Sequence, residues 1–112
     1  MKINEIAGAL GAKLICGSAD GEYSGVYVGD LLSRAMSHVS SGNLWVTIMT
    51  NTNVIAVASL TECAAVILAE GVELLPDALA AAEDNGITVL ATDKSAYEIC
   101  TVIHSAGDGM MK

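Results

Sequence analysis

The apolar and polar positions of the chain divide it into short alternating strands and helices. The most apolar part begins with the run from Leu44 to Met49, whose β-branched and aromatic residues predict a fully buried strand. Residues 50–53 then interrupt it with polar side chains of the types that cap helices. The next apolar run, residues 54–60, fits a strand or a helix equally well by itself. We interpret it as a helix because a cap precedes it and a further strand, residues 64–69, follows it.

The other elements follow from the same spacing rules. Ile3, Ile6 and Leu10 share one side of a first helix, which ends at Gly11. Further strands are predicted at residues 13–16, 26–28 and 87–91, and further helices at residues 31–39, at residues 76–83 and from residue 95 onward. This alternation predicts a single α/β domain over residues 1–112, with a mainly parallel sheet flanked by helices and a frayed tail at residues 106–112.

Charge and hydropathy exclude several classes of partner. Five Lys and Arg residues against thirteen Asp and Glu residues give a net charge of −8, and no basic stripe is interleaved with aromatic residues. We therefore predict no nucleic-acid binding and no attachment to an anionic membrane. The uncharged stretch 39–61 is long enough to span a bilayer. We nevertheless predict no membrane span, because the polar residues 50–53 lie in its middle. Glu5 and Gly8 lie where a signal peptide would be apolar, so we expect a cytoplasmic protein.

No familiar catalytic motif is present in the sequence. It contains no glycine-rich phosphate loop, no nucleophile elbow and no zinc-protease motif. His38 and His104 are interpreted as solvated or half-buried helix residues. We predict no catalytic residue, no cofactor and no metal.

Polar segments follow three of the predicted strands: Asp30, residues 50–53 and residues 92–95. Because the carboxyl ends of parallel strands meet at one edge of a sheet, we expect these segments to form one polar rim. Ordinary helix capping explains each of them, and a Ser95–Glu98 capping box accounts for much of the third. The second stands out because it has four capping-type residues where one would suffice. The predicted ligand-binding residues are Asp30, Thr47, Thr50, Asn51, Asn53, Thr92, Asp93 and Lys94.

The ligand chemistry expected at this rim is anionic. Helix N-termini that face a common edge favour a group such as phosphate. The net charge of −8 opposes tight binding of an anion, and Lys94 is the only basic residue near the three segments.

The three cysteines have two interpretations. Cys16, Cys63 and Cys100 are odd in number, far apart and without a C-x-x-C pair, so neither a disulfide framework nor a zinc knuckle is indicated. We expect reduced, mostly buried thiols that act as small apolar residues. Three thiolates that meet around a metal or cluster remain an open alternative.

Several segments resemble a stand-alone DRTGG domain. They are Val26 to Ser33, Gly42 to Thr47, Asn53 to Leu60, Ala64 to Leu68, the helix that begins at Pro76, and Ile87 to Asp93, and together they extend from about residue 2 to residue 103. The run that gives the family its name aligns with Glu22-Tyr23-Ser24-Gly25-Val26. Its glycine is kept as Gly25, but its arginine is absent, and any phosphate contact made by that arginine in relatives is lost here.

The resemblance implies a fold similar to the N-terminal domain of HPr kinase. It also implies a role like that of relatives that are regulatory parts of phosphotransacetylases, or that lie beside CBS domains in pyrophosphatases. Free-standing copies occur in anaerobes near hydrogenase and redox-sensing genes. The resemblance implies no kinase activity, because the phosphate loop of that enzyme belongs to a separate domain.

The leading hypothesis is therefore a non-catalytic regulatory or interaction module that forms a homodimer. It would sense a nucleotide-like or phosphorylated ligand, or bind a partner enzyme of anaerobic or redox metabolism. The first alternative is a small enzyme that acts on a phosphorylated metabolite, with Asp30 or Asp93 as general base and Lys94 holding the anion. The second is redox or metal sensing through the cysteines.

Overall fold

A five-stranded sheet forms the middle of the fold, with helices on both of its faces. The computed structural model describes the backbone of residues 1–111 and the side chains of residues 1–106. In chain order the strands are β1 (Lys13–Cys16), β2 (Val26–Val28), β3 (Leu44–Thr47), β4 (Ala65–Leu68) and β5 (Val89–Ala91). The helices are α1 (Ile3–Leu10), α2 (Leu32–His38), α3 (Thr52–Thr61), α4 (Pro76–Asp84) and α5 (Ala96–Met111). The predicted α/β class is confirmed.

The strands lie in the order β1-β5-β4-β3-β2. From β2 to β5 each strand pairs in parallel with the next one along the chain, which confirms the mainly parallel sheet. The crossovers between these strands are α2, α3 and α4, and all three pack on the same face, as right-handed crossovers require when the strand order follows the chain order. Only β1 is antiparallel, and it pairs with β5 at the far edge.

Both faces of the sheet are buried, and the side chains of each strand alternate between them. The face under α1 and α5 receives from the strands Leu44, Val46, Ala65, Ile67 and Leu90. The face under α2, α3 and α4 receives Trp45, Val66, Leu68 and Val89. Because β3 and β4 are buried on both faces, their sequences are continuously apolar rather than alternating.

Most helix ends have the signals that the sequence predicts. The residue after α1 is Gly11, which has a left-handed backbone with φ +64°. Pro76 occupies the first turn of α4, where its missing N–H has no intrahelical partner to lose. Ser95 and Glu98 form the expected reciprocal capping box at the start of α5. Among residues 1–111, no helix combines the length and the apolar character that crossing a bilayer requires.

The predicted bounds of β1 and β2 are confirmed, whereas the strands predicted at residues 44–49, 64–69 and 87–91 are longer than β3, β4 and β5. The run from Leu44 to Met49 is a strand only as far as Thr47, because the next amide, that of Ile48, donates to the Asp30 carboxylate instead of continuing the sheet. The expected frayed tail, residues 106–112, lies almost entirely outside the described side chains.

Gly17 and Gly42 provide a matched test of the packing at the edge between β1 and β5. Both have a left-handed backbone, with φ +83° and +85°, but a Cβ on residue 17 would lie 2.5 Å from Thr88 Cα, whereas one on residue 42 would contact nothing within 4 Å. Both alanine substitutions therefore have the same backbone strain, and only Gly17→Ala adds a clash. We expect Gly17→Ala to lower the free energy of unfolding by about 1–3 kcal/mol more than Gly42→Ala.

Urea unfolding monitored by the fluorescence of Trp45, the single tryptophan, measures both variants. Equal losses in the two variants would contradict the close approach of Gly17 to Thr88.

Candidate functional site

The carboxyl ends of β2 to β5 meet at one edge of the sheet, and the antiparallel β1 begins at that same edge. We call this edge the carboxyl rim, which comprises residues 11–13, 29–31, 48–51, 69–75 and 92–95. Ligands of open α/β sheets tend to bind at such an edge. Asp30 and residues 92–95 lie on it, and the segment 50–53 begins on it and continues into α3.

Asp30 and Thr47 connect the ends of β2 and β3. Oδ1 of Asp30 accepts hydrogen bonds from the Thr47 hydroxyl at 2.7 Å and from the Ile48 amide at 2.9 Å. The Thr47 hydroxyl oxygen in turn accepts from the Met49 amide at 3.2 Å, and the Thr47 side chain is buried. These bonds hold the turn after β3, so the two polar groups act first as structural links.

The segment 50–53 contains one working helix cap. Oδ1 of Asn51 accepts from the backbone amides of Asn53 at 3.0 Å and Val54 at 3.3 Å, which satisfies two of the free amides at the start of α3. The Thr50 carbonyl accepts from the Leu75 amide and thereby ties this segment to the loop after β4. Within the described residues, the side chains of Thr50 and Asn53 make no hydrogen bond. Ordinary capping thus accounts for Asn51 and leaves two of its neighbours available.

Thr92 and Lys94 tie the end of β5 to the end of β4. The carbonyls of Thr92 and Lys94 accept from the amides of Gly71 and Glu70, at 3.0 and 2.8 Å. The Thr92 hydroxyl oxygen accepts from the Lys94 amide at 3.3 Å, and its proton remains available to a further acceptor. These bonds hold the loops after β4 and β5 together as one wall.

A cleft of about 390 Å³ opens beside this wall, between the ends of β4 and β5 and the start of β1. It is lined by Gly11, Lys13, Ile15, Gly71, Val72, Glu73, Ala91, Thr92 and Asp93. The apolar side chains form part of its lining, and one ammonium and two carboxylates supply its charge. Its volume lies within the range of small-molecule sites.

Gly71 shapes this cleft. Its backbone is left-handed with φ +74°, and a Cβ at this position would lie 2.9 Å from Oδ1 of Asp93. The glycine therefore lets the loop after β4 pass close to the Asp93 carboxylate. In the part of the chain that the structure describes, this carboxylate makes no hydrogen bond, so it is available to a ligand.

The eight predicted residues do not come together at one point. Asp30 and Thr47 lie at the ends of β2 and β3, whereas Thr92 and Asp93 line the cleft at the end of β5, two to three strand spacings or about 10–14 Å away. Lys94 is near the cleft in sequence but is not among its lining residues. The eight-residue ligand site stays a prediction. Of its members, Thr92 and Asp93 line this cleft.

Two charged residues that line the cleft, Lys13 and Glu73, were not predicted from the sequence. Lys13 reaches the carboxyl rim only because β1 is antiparallel and pairs in register with β5, Lys13 opposite Ala91. That pairing joins residues far apart in the chain, and no local spacing signals it. The glycine-containing loop after β4 was a detectable signal, since it follows a predicted strand as the other three segments do.

The cysteines do not form a cluster in the described part of the fold. Cys16 and Cys63 pack at the margin of the core under α2, α3 and α4, whereas Cys100 is on α5, on the opposite face of the sheet. Among the described residues, no group of three or more His, Cys, Asp or Glu side chains could hold a metal ion. Burial raises the pKa of all three thiols, that of Cys63 to about 11.

Glu98 shows the opposite electrostatic effect. Its carboxylate accepts from the Ser95 amide at 2.9 Å, and hydrogen bonds from the Ser95 backbone and hydroxyl, followed by the charge of Lys94, lower its pKa. The carboxylate is fully exposed, and its lowered pKa is a consequence of the capping box. It does not indicate a reactive acid.

The comparisons with known proteins agree with this architecture. A family model described as the DRTGG domain matches residues 5–106. A comparison with curated proteins gave no significant match. Among solved structures, the chain is similar to one described as the CBS and DRTGG domains of the regulatory region of Clostridium perfringens pyrophosphatase, complexed with the activator diadenosine tetraphosphate. The TM-score is 0.72 at 15% sequence identity.

That match covers 91% of this chain and 45% of the pyrophosphatase chain. The present chain therefore spans less than half of the length of that chain. At this level of identity the likeness shows a shared fold.

Asn51 and Asn53 test the capping assignment. We expect Asn51→Ala to lower the free energy of unfolding by about 1 kcal/mol, because the Asn53 amide loses its acceptor and the Val54 amide keeps only the backbone carbonyl of residue 51. This corresponds to a fall in Tm of roughly 4 °C or more. Asn53→Ala removes a side chain without a hydrogen bond in the described structure and should change stability by less than about 0.5 kcal/mol. Thermal unfolding compares the two variants, and equal losses would show that Asn51 is not the cap.

The raised pKa of Cys63 predicts slow chemistry at this thiol. A thiol of pKa about 11 is roughly 0.1% ionised at pH 8, against about a quarter for an unperturbed thiol. Alkylation by iodoacetamide, followed by mass spectrometry of the peptides, should therefore label Cys63 the slowest of the three. The rate should rise as the pH approaches 11. Rapid labelling of Cys63 at pH 8 would restore the hypothesis of a reactive or metal-binding thiol.

Proposed function

Because the chain belongs to the DRTGG domain family, we propose that it is a regulatory module that senses a small nucleotide-like or phosphorylated ligand and catalyses no reaction itself. The observation that carries this proposal is the cleft at the carboxyl rim. Polar and apolar side chains both line it: Lys13, Glu73, Thr92 and Asp93, and Ile15, Val72 and Ala91. Such a combination of apolar surface and a few polar groups is typical of small-molecule sites.

The polar groups of the cleft favour a ligand of mixed chemistry. The Lys13 ammonium can hold a phosphate oxygen, while the carboxylates of Glu73 and Asp93 can accept from hydroxyl or amino groups. A nucleotide or a sugar phosphate offers both kinds of group in one molecule. A single ammonium beside two carboxylates, in a chain of net charge −8, favours ligands with few negative charges over free polyphosphates.

We further infer that the module works as a homodimer and acts on a partner enzyme in the cytoplasm. The similarity to a regulatory region of a pyrophosphatase supports a regulatory role. Large apolar side chains that remain exposed, among them Leu31, Leu60 and Leu75, support association with another protein surface. Three free cysteines suit a reducing compartment.

The enzymatic alternative has less support from the geometry. Oδ1 of Asp30, one of the two suggested bases, already accepts two hydrogen bonds that hold the turn after β3. Asp93 is available, but the other suggested group, Lys94, is absent from the cleft lining. Incubating ligand with protein and analysing the mixture by chromatography tests this point, since a regulatory module returns the ligand unchanged.

Lys13 and Lys94 provide a matched test of the ligand site. A thermal-shift screen with AMP, Mg²⁺-ATP, a sugar phosphate and inorganic phosphate identifies a ligand, since binding at about 100 times Kd stabilises the fold by roughly 2.7 kcal/mol. Lys13→Ala removes the ammonium of the cleft and should raise the Kd of the identified compound about tenfold or more. Lys94→Ala removes the same charge from outside the cleft and should leave Kd within about twofold.

Asp93→Asn is the second variant of this test. If the Asp93 carboxylate accepts from a hydroxyl group of the identified compound, the variant should bind that compound more weakly. Inorganic phosphate has no such group, and the variant makes the cleft less negative, so the Kd for inorganic phosphate should not rise. A ligand lost in Lys94→Ala and kept in Lys13→Ala would move the site out of the cleft. A flat screen would contradict ligand sensing and leave the role of binding a partner protein.

A further inference from the structure

The two edges of the sheet are built differently. The edge strand β1 begins with Lys13, and its register shifts between Leu14 and Cys16, two features that discourage pairing with another strand. The other edge strand, β2, has neither. Residues 23–29 contain no charged side chain and no proline, and β2 pairs with β3 in regular register. The β2 edge is therefore open to a further strand.

The backbone of β2 also has groups that face outward. The Gly25 carbonyl and the Gly29 amide bond to Leu44 and Val46 of β3. Because bonding to a parallel neighbour uses alternate residues, the N–H and C=O groups of Val26 and Val28 point away from β3. They are the donors and acceptors that an added strand would use.

The side chains at this edge are apolar and uncovered. Val26 and Val28 lie opposite Leu44 and Val46, on the face that α1 and α5 cover elsewhere, yet they are 37% and 45% exposed. Leu31 and Ile48, in the loops that follow β2 and β3, are 60% and 42% exposed. The edge thus combines unpaired backbone groups with an apolar strip.

We propose that β2 pairs antiparallel with β2 of a second copy of this chain, about a two-fold axis at Tyr27. The two sheets then form one continuous ten-stranded sheet. Val26 of each copy lies opposite Val28 of the other, and each such pair exchanges two backbone hydrogen bonds, four in all. The inference rests on the proposed homodimer and identifies β2 as its interface.

The pattern of the edge fits a second copy because it is self-complementary. Under the two-fold axis the four valines cover one another on one face, and the two Tyr27 rings become cross-strand neighbours on the other. Asp30, the acidic residue nearest to Tyr27 in the sequence, lies about 20 Å from its equivalent in the other copy. Parallel pairing in register would instead place Asp30 beside its equivalent, which like charge disfavours. In a chain of net charge −8, this uncharged segment brings no charged side chain into the paired strands themselves.

Two lysine substitutions at opposite edges test the proposal. Val28 and Leu14 are each 45% exposed and lie on the same face of the sheet, one on β2 and the other on β1. The wild-type chain should sediment with twice the chain mass at the higher concentrations of a dilution series. Val28→Lys should weaken the dimer about tenfold or more, because two charges enter the valine strip. Leu14→Lys should leave the dimer unchanged.

A disulfide tests the axis directly. Residues that face each other across an antiparallel, non-hydrogen-bonded pair have Cα atoms about 4.5 Å apart, within reach of a disulfide. In a chain whose three native cysteines are changed to alanine, Tyr27→Cys should form a covalent dimer on mild oxidation. Leu14→Cys in the same background should remain monomeric on a non-reducing gel.

Each outcome decides the point. A wild-type chain that stays monomeric at every concentration overturns the proposal, whatever the ligand screen gives. A dimer that survives in Val28→Lys as well as in Leu14→Lys also overturns it, while the homodimer itself stands through another surface. If circular dichroism shows that Val28→Lys has not folded, the Tyr27→Cys gel decides: a covalent dimer supports the β2 pairing and its absence overturns it. A flat ligand screen together with the β2 dimer would contradict only ligand sensing.

Discussion

The burial of β3 and β4 on both faces is the constraint from which the rest of the fold follows. Neither strand has a side that can face water, so each face of the sheet needs a layer of helices. The crossovers α2, α3 and α4 supply one layer because the strand order from β2 to β5 follows the chain. The other face can be covered only by helices outside this series, and α1 and α5 do so. In consequence, every loop that follows a parallel strand emerges at the same edge.

This edge shows how structural and functional demands divide a set of polar residues. At the β2 end the polar groups bond to one another and to backbone amides, and they hold the turn after β3. At the β5 end, backbone groups make the ties between loops, which leaves the Asp93 carboxylate and the Thr92 proton available. The polar side chains at the β5 end are therefore less involved in holding the fold than those at the β2 end. The cleft lies at the β5 end, beside Lys13.

Local patterns in the sequence predict most of the fold and little of the site. The spacing of Ile3, Ile6 and Leu10, the proline at position 76 and the Ser95–Glu98 pair each determine an element through neighbours a few residues away. The end of β3 was misjudged because it depends on Asp30, a residue of a different loop. The position of Lys13 beside the cleft was not predicted for a similar reason, because it depends on the pairing of β1 with a strand more than 70 residues away. Ligand sites in α/β folds combine loops that are distant in sequence, so reading the order of elements is not enough to assemble them.

The pairing of β1 with β5 also affects how the chain must fold. Ser18 and Thr88 exchange hydrogen bonds across 70 residues, and β1 has no other strand to join. On the ribosome, α1 and β1 emerge before β5, and the place of β1 in the sheet does not exist until β5 has been made. Loop closure over such a distance is slow, and the apolar side of α1 stays uncovered in the meantime. The segment of α1 and β1 is therefore synthesised long before the strand with which it pairs, and during that interval it is exposed to chaperones and to aggregation.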